Sequence, residues 1–110
     1  MDNHEIKDVA YTIDAAPTLA HTVDMMNSTD YKERFKAEYY QLLIRIVKLE
    51  NMVKNWDHLS FTPTLGKGVY EAQISSMYTY LSILTIRAAA EDVEVVGVEE
   101  WRQMMEGNDK

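Results

Sequence analysis

Residues 30–56, DYKERFKAEYYQLLIRIVKLENMVKNW, place apolar side chains at Phe35, Tyr39, Leu42, Ile46, Leu49, Val53 and Trp56. The intervals alternate four and three without a break, the heptad seam of a long helix. Tyr40, Leu43 and Val47 form a second row, with Ile44 to its side. That surface is wider than one partner helix can cover. Asp30 followed by Glu33 predicts a capping box at the helix start, and Arg34–Glu38 an ion pair one turn apart.

Downstream, Tyr70, Ile74, Met77, Leu81, Leu84 and Ala88 repeat the same alternation, and Tyr78 and Thr85 continue a second row. Between the two seams lies DHLSFTP, residues 57–63, whose Asp57, Ser60 and Pro63 favour a turn. Thr64 is the expected N-cap of the second helix. Gly66 and Gly68 weaken its first turn, so the firm helix is expected from Val69. Two heptad helices on a short loop fold back on each other. The expected fold is therefore all-α: an antiparallel two-helix hairpin over residues 29–95. Its surplus apolar row points to a homo-oligomer, since two helices alone make a thin core.

The flanks read differently. Residues 1–28 lack sustained periodicity and are broken at Pro17, which suggests an N-terminal arm, with at most a turn or two of helix over residues 18–26. Residues 92–98, DVEVVGV, alternate as a short extended piece would. Residues 96–110 read as an acidic C-terminal tail, with a short helix near Trp101 and Met105.

The net charge of −7 is unevenly spread. Residues 1–28 carry five acids and one base, and residues 91–110 seven acids and two bases. The centre, residues 29–90, has six acids and eight bases. That excess is too small to grip duplex nucleic acid through its phosphates, but it suffices for a small anion. No apolar run approaches the roughly 18 residues of a membrane span. The opening MDNHEIKD has no apolar core, so a secretory signal is not expected.

Catalytic chemistry finds little purchase. His4, His21 and His58 are scattered, and with no cysteine a structural zinc site lacks ligands. His58 and Ser60 share a polar turn that needs no triad to explain it. No enzyme, metal or cofactor is expected. Anion binding has more support. Arg45 and Lys48 sit among apolar neighbours in LLIRIVKL, which brings one or both near a packed surface. Arg87 precedes three alanines and is open to two readings: an ion pair with Glu91 one turn on, or convergence with its copies around an anion. Lys67, between two glycines after Thr64, stands where a helix start favours negative charge. Tyr31 and Tyr40 offer phenol rings for a base or sugar.

Taken together, Tyr31 and Arg34, Arg45-x-x-Lys48-Leu49, the FTPT turn and the run from Tyr80 to Ala88 resemble a family of small tailed-phage proteins. That family is related to a crAss-like phage protein and shares the helical-hairpin domain of phage anti-CBASS and Thoeris anti-defence sponges. The resemblance spans about residues 30–95. It implies a non-enzymatic oligomer, a hexamer in relatives, that binds cyclic di- or trinucleotides or cyclic ADP-ribose derivatives in the host cytoplasm without cleaving them. It also implies pockets between protomers, with second-helix arginines at a three-fold site, and Arg87 is the matching position. The expected ligand residues are thus Arg87, Arg45, Lys48, Lys67, Thr64, Tyr40 and Tyr31. The competing expectation is an oligomeric adaptor that docks on a host or phage protein through its acidic tail and Trp101.

Overall fold

The computed structural model describes residues 17–108. Over that range the chain forms four α-helices, α1 (Leu19–Met26), α2 (Tyr31–Lys54), α3 (Lys67–Ala90) and α4 (Val98–Asn108), with a 3-10 turn at Trp56–His58. Among the described residues there is no strand.

The central helix is α2, and its sequence explains why. Phe35, Tyr39, Leu42 and Ile46 of the first row are buried, and so are Tyr40, Leu43, Ile44 and Val47 of the second. A helix buried over so wide an arc needs neighbours on several sides. One is α3, which contributes Leu81, Leu84 and Ala88 to the core. The start of α2 meets the end of α3 through Tyr31 and Glu91, while the Trp56 ring beyond its other end lies 5.8 Å from that of Tyr70. The two long helices therefore run in opposite directions.

The local starts of the helices depart from expectation in instructive ways. Asp30 caps α2 by accepting the Lys32 N–H at 2.9 Å, but Glu33 turns to Lys36 at 3.1 Å and closes no capping box. Arg34 donates to the Ser28 carbonyl at 2.9 Å and leaves Glu38 to the Tyr80 hydroxyl, so the Arg34–Glu38 pair is replaced by a bond between helices. Helix α3 begins at Lys67 with Gly66 as its N-cap, not Thr64. It ends in a Schellman-type turn: Asp92 takes φ 58° and the Val93 N–H returns to the Ala88 carbonyl at 2.8 Å.

Residues 1–16 of the expected arm lie outside the described residues. The rest of it is not a free arm but carries α1. Thr18 and His21 cap one another, the Thr18 N–H donating to His21 Nδ1 at 3.1 Å and the His21 N–H to Thr18 Oγ1 at 3.4 Å. Histidine in the place of the usual Glu hides this box from a motif reading. Thr22 and Met25 then bury against α2, where Gln41 donates to Thr22 Oγ1 at 3.1 Å.

The C-terminal segment is likewise part of the fold. Val96 is gripped by two adjacent phenols of α2. The Tyr39 hydroxyl donates to the Val96 carbonyl at 2.8 Å, and the Val96 N–H donates to the Tyr40 hydroxyl at 2.9 Å. These bonds supply what a neighbouring strand would have given the alternating run of residues 92–98. Helix α4 follows, with Trp101 buried and its indole N–H donating to the Pro17 carbonyl at 3.0 Å. Arg102 reaches Glu50 of α2.

Burial pushes the Tyr40 phenol up to about 12, against the lowering effect of the Val96 N–H. The same cause raises Tyr39 and, with Glu50 beside it, Tyr78. A raised folded pKa adds stability that is fully present below the ordinary phenol pKa of about 10 and is lost as pH rises through the folded value. Denaturant unfolding should therefore show stability level from pH 8 to 9.5 and falling between pH 10 and 12. At pH 8, Tyr40→Phe strips the Val96 N–H of its acceptor and should cost about 1–3 kcal/mol, while flattening part of the alkaline fall. Equal stability of the two proteins at pH 8 would contradict the phenol grip.

Candidate functional site

Arg87 is the expected ligand residue most completely tied up within the chain. Its guanidinium lies over the Phe35 ring, 5.0 Å from the centroid. It donates to the Tyr31 hydroxyl at 3.0 Å and, through Nε, to Glu91 at 3.5 Å. Tyr31 in turn donates to Glu91. The Tyr31 hydrogen bond and Arg87 hold the Glu91 carboxyl below its ordinary value, and the same phenol and carboxylate hold Arg87 in its charged form. Of the two readings open for Arg87, the pair with Glu91 is the one formed inside a single chain. Tyr31 belongs to the same corner.

The remaining expected residues are dispersed. Arg45 is exposed although Ile44 and Ile46 on either side are buried. One residue turns a helix by about 100°, enough to carry Arg45 out of the apolar arc. Lys48 is exposed as well, so flanking apolar residues brought neither cation into the core. Thr64 and Lys67 are exposed, at the turn between α2 and α3 and at the start of α3. Tyr40 has no exposed surface and its hydroxyl accepts the Val96 N–H, so the expectation that it contacts a ligand is corrected: the second apolar row is core. From Lys67 to Arg87 the helix climbs about 30 Å. One small ligand cannot touch both in the same chain.

Lys48 does border a cavity. A cleft of about 810 Å³ opens between α2, α3 and α4. Its apolar surface comes from Val47 and Val53 of α2, Ile74 of α3, and Trp101 and Met105 of α4. Lys48 and Lys54 stand on the α2 wall, Glu71 on α3 and Glu106 on α4. Glu50, also at the cleft, accepts from the Tyr78 hydroxyl at 2.7 Å and from Arg102, which is further held by Glu99 at 2.8 Å. Lys54, Glu71 and Arg102 were not singled out from sequence as site residues. The signal was present in Trp101 and Met105 on one side of a tail helix, but which surface that side would cover was not.

The glycines beside Lys67 are not demanded by the chain's own packing. Neither takes a positive φ, and a Cβ built on Gly66 or Gly68 meets nothing within 4 Å.

The described chain is thus a small all-helical domain with a cation-edged cleft along its central helix, and no helix in it is long and apolar enough to cross a membrane. It belongs to the Sequestin family, whose pattern it matches over residues 29–90. That match takes in α2, the turn and α3, and stops before α4. No curated protein and no solved structure matches the chain.

Gly68→Ala should stabilise the fold by about 0.5–1 kcal/mol, because alanine suits a helix better and has room here. Calorimetric melting of the two proteins checks it; a lower melting temperature for the variant would mean that the α3 start is packed more closely than described.

Proposed function

We propose that this protein sequesters a host cyclic-nucleotide immune signal, a cyclic oligonucleotide or a cyclic ADP-ribose-type molecule, and holds it uncleaved in the host cytoplasm. The observation that carries the reading is the Sequestin match over residues 29–90, a family whose name denotes sequestration. The resemblance to phage anti-CBASS and Thoeris sponges points the same way and supplies the ligand class. Binding without turnover works by mass action, so the protein needs affinity and copy number, and no catalytic group is assigned.

Self-association is part of the proposal. Val69, Ile83 and Ile86 on α3 are exposed, Ile86 at 69%. A second copy against this face would cover them, in a closed ring such as the hexamer implied by the resemblance. Within one chain a ligand can use Lys48 at the cleft. Arg45, Lys67, Thr64, Tyr31 and Arg87 would share a ligand only where copies meet, and Arg87 would first have to leave Glu91. The adaptor reading loses ground, because Trp101 is spent inside the fold and is not offered to a partner.

Two measurements test this. In thermal-shift assays against cyclic di- and trinucleotides and cyclic ADP-ribose isomers, at least one should stabilise the fold, by about 2.7 kcal/mol at 100 times its Kd. No shift with any of them would sink the ligand assignment. Native mass spectrometry should show a closed oligomer that Ile83→Asp/Ile86→Asp reduces to monomer with helical content intact. A monomeric parent protein would sink the assembly instead.

A further inference from the structure

We propose that the cleft between α2, α3 and α4 is itself a nucleotide site, complete within one chain, with its phosphate end at Lys48 and Lys54. This rests on the sequestering reading and deepens it by naming the place and the part each wall plays. At about 810 Å³ the cleft lies within the 300–1,000 Å³ range of small-molecule sites.

On the α2 wall Glu50 is occupied by Arg102 and Tyr78, which leaves the two lysines as its open charges. Lys48 and Lys54 both come from α2, and among the described residues neither has an ion pair or a side-chain hydrogen bond. Six residues apart, they are separated by about 9 Å along the helix axis, which long lysine side chains can close around one phosphate or spread over two. The third cation, Arg102, is already neutralised by Glu50 and Glu99. Glu71 of α3 and Glu106 of α4 line the cleft from the other two helices, and among the described residues neither has an ion pair or a side-chain hydrogen bond. Between them the wall is apolar: Val53, Ile74 and Met105, with the ring of Trp101, whose N–H is committed to Pro17.

A ligand fitting this arrangement carries anionic charge toward the α2 wall, a flat or apolar body, and hydrogen-bond donors toward α3 and α4. A nucleotide has all three: phosphate, base face, and the hydroxyls or exocyclic amines of sugar and base. Inorganic phosphate would satisfy the lysines alone, and a fatty anion would leave the two glutamates facing hydrocarbon. Glu106 and Met105 belong to a wall that lies outside the family match over residues 29–90. Selectivity among nucleotides is accordingly assigned to α4.

The test uses the full chain carrying Trp56→Phe, so that Trp101 is the sole indole, titrated with cyclic di-AMP, cyclic di-GMP, 5′-AMP and inorganic phosphate. Expected are a change in Trp101 emission with at least one nucleotide and little response to phosphate. Lys48→Gln/Lys54→Gln should weaken that nucleotide at least tenfold, while Lys32→Gln/Lys36→Gln, which removes the same charge from the far end of α2, changes affinity less than threefold. Glu106→Gln should alter the order of preference among the nucleotides. If calorimetry finds a nucleotide bound as tightly by the cleft pair as by the parent, the cleft assignment is overturned and sequestration stands. If no cyclic nucleotide binds even the parent at millimolar concentration, both fall.

Discussion

Two neighbouring hydroxyls on α2 govern where the last part of the chain goes. Tyr39 and Tyr40 take up both the carbonyl and the N–H of Val96, at a point where the backbone is buried and has no helix of its own. Buried peptide groups must find partners, and a lost partner costs more than an average hydrogen bond contributes. Once Val96 is fixed, α4 is set down alongside α2, Trp101 reaches Pro17, and the two ends of the described chain are joined. The cleft owes its third wall to the same constraint.

Phenols also tie α2 to α3. Tyr31 donates to Glu91, Tyr78 to Glu50 and Tyr80 to Glu38, each bond crossing between α2 and α3 or its C-cap. Apolar residues carry the seam, and these polar contacts flank it. The abundance of tyrosine is thus largely accounted for inside the protein. Arg87 shows the same economy: Phe35, Tyr31 and Glu91 surround its guanidinium without any ligand.

The seam of α2 was legible almost residue by residue, because heptad spacing depends only on helical geometry. The packing of the flanks was not. His21 stands in a capping box where Glu is the familiar residue, so the start of α1 carried no motif. Val96 is buried by phenols 56 and 57 residues away in the chain, and Arg102 meets Glu50 across 52. No local period announces such contacts. For the site, the i+4 partner of Arg87 could be read from spacing, and Lys48 was named. Lys54 carried no sequence signal of its own, since only the approach of α4 turns that part of α2 into a cleft. Tyr40 was misassigned because a second apolar row reads equally well as spare surface or as core.

The chain belongs to the Sequestin family, and on that membership rests the proposal that it removes a nucleotide signal by holding it. Its most direct test is a recovery experiment. The purified protein is mixed with an equimolar cyclic-nucleotide ligand, the free fraction is measured by filtration, and the protein is then heat-denatured and the ligand assayed chromatographically. The account predicts that free ligand nearly vanishes and that denaturation returns all of it intact. Ligand that stays free throughout, or comes back hydrolysed, would contradict sequestration.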